Sequence, residues 1–222
     1  MRGPGPFNAG MVIAIDGPAG AGKSTVARGV ARALGFTYLD SGAMYRAVAL
    51  AAIERGIDPD DGDRLGEMAW GLAIDFDGDT VRLDGKPVEG RIRSPEVTIA
   101  ASKVSVHPQV RQAMVKRQRE LIAASNYVAE GRDIGTVVSP DSPLKVFLTA
   151  AEGERARRRA ADSGESVGEV QEAMRDRDRR DEERADSPLR VAQDSVSIDT
   201  TDLSPDEVVE RIAELARERG IV

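Results

Sequence analysis

The chain has 222 residues, 41% hydrophobic and 31% charged, with a formal net charge of −7; that length buries a real core as one domain with insertions or as two small ones. It has no cysteine, which excludes disulfides, thiolate catalysis and zinc–thiolate sites, and no run of eighteen apolar residues. The negative charge argues against a broad surface for nucleic acid or anionic membrane.

Residues 1–10 lack the apolar centre of a signal peptide and read as a disordered leader. The apolar run 11–15 predicts a strand, and a helical pattern reaches Leu34. Between them lie Gly17, Pro18, Ala19, Gly20, Ala21, Gly22, Lys23, Ser24 and Thr25. Gly, four residues, then Gly-Lys-Ser between strand and helix is a P-loop. The glycines let the backbone aim several N–H groups into one cavity, and the helix start adds unpaired amides and a positive dipole end. Lys23 is expected at the terminal phosphates and the Ser24 hydroxyl on Mg²⁺.

Residues 38–39 form a short second strand. Asp40 and Ser41 then cap a helix over about 42–55, with Met44, Val48, Ala51 and Ala52 apolar. That places Ser41, Tyr45 and Arg46 near the carboxyl end of a strand, where open α/β sheets bind ligands. A loop at 57–62 leads to a short helix over 64–72. The runs 74–76, 80–83 and 87–88 then alternate, broken by Asp77-Gly78-Asp79 and Asp84-Gly85-Lys86, which predicts an inserted antiparallel meander with turn-forming aspartates.

A helix starting at Ser94-Pro95 stops before His107, the only histidine, which reads as structural. A long helix follows over 108–125, its apolar face being Val110, Met114, Val115, Leu121 and Ile122. Residues 127–129 are a third core strand running into the charged stretch 130–136, and 144–148 are a fourth. Two charged helices, over 152–162 and 167–184 with Gly164 between, carry nine arginines and few apolar residues. They read as a solvated face or as a mobile lid that closes basic side chains onto phosphates. Of 31 basic residues 26 are Arg, the side chain for bidentate phosphate recognition. A fifth strand at 196–199 and a helix opened by Ser204-Pro205-Asp206-Glu207 complete the chain. The pattern predicts an α/β fold with a doubly wound, mostly parallel five-stranded P-loop sheet, an inserted antiparallel β subdomain and a helical lid.

A P-loop establishes nucleotide binding, not a reaction. A GTPase switch should carry Asn-Lys-x-Asp, yet the only asparagines are Asn8 and Asn126 and neither precedes Lys. A regulatory ATPase needs a partner surface that nothing in the sequence identifies. Arginines at 46, 132, 155–159 and 177–184 favour a small-molecule kinase, which needs a basic acceptor pocket and a lid against water.

The P-loop, the stretch Leu39-Asp40-Ser41-Gly42-Ala43-Met44-Tyr45-Arg46, the stretch Gly131-Arg132-Asp133-Ile134-Gly135-Thr136-Val137-Val138 and residues 177–184 resemble the bacterial cytidylate kinases. The resemblance implies phosphoryl transfer from ATP to CMP or dCMP with Mg²⁺, by a cytoplasmic monomer that binds neither nucleic acid nor membrane. A kinase of the same architecture acting on UMP or a non-nucleotide acceptor is the alternative. The resemblance also implies one unit over 11–222: a core of about 11–40, 107–150 and 189–222, an acceptor-binding insert of about 41–106 and a lid of about 151–188. By matching motifs it places Ser41, Tyr45, Arg46 and Arg132 around the acceptor phosphate and sugar. Ser102, Arg111, Asp133 and Arg184 read the base, and Arg177 and Asp181 hold the ribose. Lys23, Arg132 and a lid arginine (Arg155, Arg158 or Arg159) are expected to neutralise the transferring group, with Asp16 and Asp133 as candidate outer contacts of Mg²⁺.

Overall fold

The computed structural model describes residues 10–222; apart from Gly10, the leader expected over 1–10 lies outside the described residues. The centre is a parallel sheet of β1 (Val12–Asp16), β2 (Thr37–Asp40), β6 (Tyr127–Gly131), β7 (Leu144–Thr149) and β8 (Val196–Asp199), in the order β2-β6-β1-β7-β8. Alternation along β1 divides the interior. Ile13 and Ile15 join Val26 and Val30 of α1 (Lys23–Leu34) and Val208 and Ile212 of α8 (Pro205–Glu218). Val12 and Ala14 face the larger cluster, with Met44 and Val48 of α2 (Ser41–Glu54) and Met114 of α5 (Pro108–Ile122).

Between α2 and α5 lie α3 (Gly62–Gly71), the antiparallel sheet β3 (Ile74–Asp77), β4 (Thr80–Leu83) and β5 (Lys86–Pro87), and α4 (Pro95–Val104). Among the described residues this small sheet forms no ladder with the main one. Asp77 pairs with Thr80 across the expected turn, where Gly78 has φ +58°. His107 occupies the N-cap position of α5 without a side-chain cap hydrogen bond, and its Nε2 lies 2.8 Å from the Pro59 carbonyl, a local structural contact.

Three local expectations change. The third core strand, expected over 127–129, runs on to Gly131 as β6, and Ile134–Val138 is a π-helical turn with Ile134 and Val138 buried. The buried side of α5 includes Arg111 and Gln118, while Val115 and Leu121 are only partly buried. The charged helices α6 (Glu152–Ser163) and α7 (Val167–Glu183) stay out of both main cores, but Ala160, Val170 and Met174 make a small cluster completed by Ala19 of the P-loop.

Candidate active site

The P-loop takes its shape from backbone conformations that only glycine adopts cheaply. Gly17 has φ +149°, and a Cβ there would sit 2.1 Å from the Leu148 carbonyl oxygen. Gly22 caps α1 in the left-handed region with no side-chain acceptor, so the first-turn amides are left for an anion. Lys23 is buried, and its Nζ donates to the Pro18 carbonyl at 2.6 Å. Burial, with Arg132 and Arg177 nearby, pushes its ammonium down to about 7, against the pull of Glu130 and Asp181. The Ser24 hydroxyl donates to the Glu130 carboxylate, which also accepts from Tyr38 OH at 2.8 Å. Burial and the charge of Asp40 raise the Glu130 carboxyl. Glu130 was not among the candidate residues; an acid closing an otherwise apolar strand was the available signal.

Beside the P-loop, α2, α4, α5, α7 and the segment after β6 converge. The Ser41 hydroxyl donates to the Glu130 carbonyl at 2.7 Å, and Arg46 pairs with Asp40 at 3.0 Å. Arg111, 1% exposed, donates to Asp133 and lies over the Tyr45 ring, 5.5 Å from its centroid. Burial raises the Tyr45 phenol to about 12. Arg184 lies 3.5 Å from Asp181 and 3.8 Å from Asp133, and Arg132 donates to Asp181 at 2.8 Å. Ser102 is buried and accepts from Arg180 Nε at 3.1 Å. Burial and the neighbouring Arg132 lower the Arg177 guanidinium to about 10.

This cluster has too many donors. Tyr45 OH, Arg46 Nε, Arg111 Nε, Arg177 Nε and Arg184 Nη2 are buried without a hydrogen-bond partner. Buried polar atoms are normally paired, so five such groups in one cluster call for a ligand that is anionic and rich in acceptors. The carboxylate of Asp133 set among them adds one place for a donor on that ligand.

The lid arginines divide. Arg155 donates to the Ala19 carbonyl at 3.0 Å and to Asp178, which in turn accepts from the Ala19 amide at 3.3 Å. Arg158 donates to Thr200 Oγ1 at 3.0 Å and to the Thr200 carbonyl at 2.6 Å, so it holds the segment after β8. Arg159 is exposed, and its charge acts on Arg177. Asp16 faces inward: its oxygens accept from Ile134 N at 2.9 Å and Gly135 N at 2.8 Å, and burial raises its carboxyl to about 6.

Residues 13–218 match the cytidylate kinase family. A cytidylate kinase of Solibacter usitatus is 48% identical over 216 residues, covering 94% of this chain and 93% of its own. A cytidylate kinase of Mycobacterium avium is 47% identical over 226 residues, covering 97% and 99%. Among solved structures, a gluconokinase from Sinorhizobium meliloti aligns with a TM-score of 0.50 at 14% identity, covering 95% of this chain and 97% of its own. An uncharacterized protein from Eubacterium ventriosum aligns at 0.54 and 11%, covering 93% and 98%. Those two likenesses concern the fold alone.

Proposed function

The chain belongs to the cytidylate kinase family, and from that premise we propose how its site performs the family's reaction. The protein is an ATP-dependent nucleoside monophosphate kinase that transfers the γ-phosphoryl group of ATP to CMP or dCMP, giving ADP and the nucleoside diphosphate. In our reading ATP lies with its phosphates on the amides of Gly17 to Thr25, and the monophosphate occupies the donor-rich cluster. That surplus of unmet donors is the single observation that carries the reading.

Arg46, Arg132, Ser41 and Tyr45 hold the acceptor phosphate and nearby sugar, and Arg177 and Asp181 hold the ribose. Ser102, Arg111, Asp133 and Arg184 read the base. Cytosine offers an N4 amino donor, which suits the Asp133 carboxylate, and acceptors at O2 and N3, which suit Arg and Ser donors. Uracil turns a carbonyl oxygen toward that carboxylate; a mismatched buried polar group costs ~1–3 kcal/mol. No general base is needed, because the attacking phosphate is already an anion, and catalysis is alignment plus charge stabilisation. Lys23 meets the transferring group, with Arg155, Arg158 or Arg159 closing on it from the side of α6.

Mg²⁺ fits the hydroxyl–carboxylate pair of Ser24 and Glu130. Among the described residues no group of three or more His, Cys, Asp or Glu side chains is placed to hold a metal by itself, and an ion at Ser24 and Glu130 would take its remaining ligands from elsewhere, a role that nucleotide phosphates suit. When bound it neutralises phosphate charge. Asp16 and Asp133, the other candidate contacts, are engaged by amides and by arginines respectively. The division into core, insert over about 41–106 and lid over about 151–188 follows from the same reading, as does a cytoplasmic monomer.

Coupled ADP release with ATP and Mg²⁺ tests the proposal, comparing CMP, dCMP, UMP, AMP and no acceptor. Turnover with CMP and dCMP far above the rest is expected. Preference for another acceptor would discard the base pocket, and hydrolysis indifferent to every acceptor would discard the kinase.

A further inference from the structure

The π turn Ile134–Val138 begins with backbone N–H groups that, in an ordinary helix, the side chain of the N-cap residue would accept. The residue at that position is Asp133, a strong capping type, yet its side chain makes no cap hydrogen bond. Its carboxylate is turned instead to Arg111 and Arg184. The amides are met from another element. Asp16, the last residue of β1, accepts from Ile134 N with Oδ1 and from Gly135 N with Oδ2.

The backbone brings the two together by register. Asp16 is the neighbour of Gly131 in the β1–β6 ladder, and Gly17, which opens the P-loop, follows it directly. The approach is tight: a Cβ at Gly131 would lie 2.7 Å from Ser41 Oγ and 2.9 Å from Ile134 Cδ1.

We propose that Asp16 is a positioning residue for acceptor selection: by capping the π turn from β1, it leaves the Asp133 carboxylate free to read the base. This rests on the function proposed above and adds a determinant that lies outside the pocket. Without Asp16 the orphaned Ile134 and Gly135 amides would compete with Arg111 for the Asp133 carboxylate, which in capping its own turn would leave Arg111. The P-loop amides, on the other side of Asp16, keep their own glycine-determined shape.

Asp16→Asn tests this, because the amide offers one acceptor and turns an N–H₂ toward a backbone N–H. The expected result is a KM for CMP raised about tenfold and a CMP-over-UMP preference reduced by a similar factor, with the KM for ATP within about twofold of the parent. In a double-mutant cycle, Asp16→Asn should add little to the selectivity already lost in Asp133→Asn, since one acts through the other. Multiplying losses, or KM values for CMP and ATP rising together, would overturn the proposal. Hydrogen exchange in the parent protein gives a second reading that needs no variant. Ile134 and Gly135 amides are expected to be strongly protected without nucleotide; exchange at the rate of exposed amides would overturn it. Failure of the parent to phosphorylate CMP would remove the assigned reaction, and the exchange measurement would still decide whether Asp16 holds the turn.

Discussion

Replacing Lys23 by Met should abolish phosphoryl transfer and at the same time stabilise the fold. The Lys23 side chain is 6% exposed, and its surroundings lower the ammonium from 10.5 to about 7. At pH 7 the folded protein therefore holds this group at a cost on the order of 3–5 kcal/mol relative to the unfolded chain. Met has similar volume and no charge. Its substitution forfeits the hydrogen bond to Pro18, worth roughly 1–3 kcal/mol for a charged donor, and leaves a net gain centred on about 2 kcal/mol. For a chain of this size that raises Tm by about 3–9 °C. The pH dependence identifies the cause. A folded pKa below the unfolded one means that the unfolded chain binds the extra proton between about pH 7 and 10.5, so the parent regains roughly 1 kcal/mol per pH unit as pH rises through that window. The advantage of Lys23→Met should thus be full at pH 7 and below and nearly gone by about pH 9. Calorimetry at both pH values, with ADP release and CMP titration on the same samples, measures each part. A variant that melts below the parent at pH 7, or an offset that ignores pH, would refute the electrostatic argument; near-normal turnover would refute the role of Lys23.

Arg111→Met should raise the KM for CMP at least about tenfold and cost about 3–5 kcal/mol of stability, because Asp133 is left buried beside a lost partner; denaturant midpoints and acceptor kinetics check both. Ser204→Ala removes the capping box that Ser204 and Glu207 form at α8 and should cost ~0.5–2 kcal/mol with kcat and both KM values unchanged. Limited proteolysis between α6 and α7 should be faster without nucleotide than with ATP analogue and CMP together; equal rates would count against a closing lid.

The parts legible in the sequence were those fixed by local chemistry. Glycine spacing located the P-loop, apolar runs located the five parallel strands, and Asp-Gly pairs located the turns of the small sheet. What escaped was set by distant neighbours. Arg111 looks like a surface position because arginines on a helix usually are; its pairing with Asp133, 22 residues away, together with the Ser105 carbonyl and the Tyr45 ring, makes burial tolerable. Ser102 was named through resemblance alone, and its burial depends on the packing of α4 against the rest. The density of charge at 130–136 did not show which acid lies inside; Glu130 is held there by Ser24 and Tyr38. A π turn has no sequence period of its own, and the acid that caps this one precedes it by 118 residues.

The small apolar cluster of α6 and α7 has a consequence for the medium in which the enzyme works. Ala160, Val170 and Met174 bury little surface, and the lid's other ties include Arg155–Asp178 at the P-loop and Arg175–Glu152 between the two helices. Charge attraction weakens with dissolved salt, whereas apolar burial does not. The exposed pair between the two helices is therefore the tie that added salt would weaken first, while the nearly buried Arg155–Asp178 pair and the sheet beneath would be screened far less.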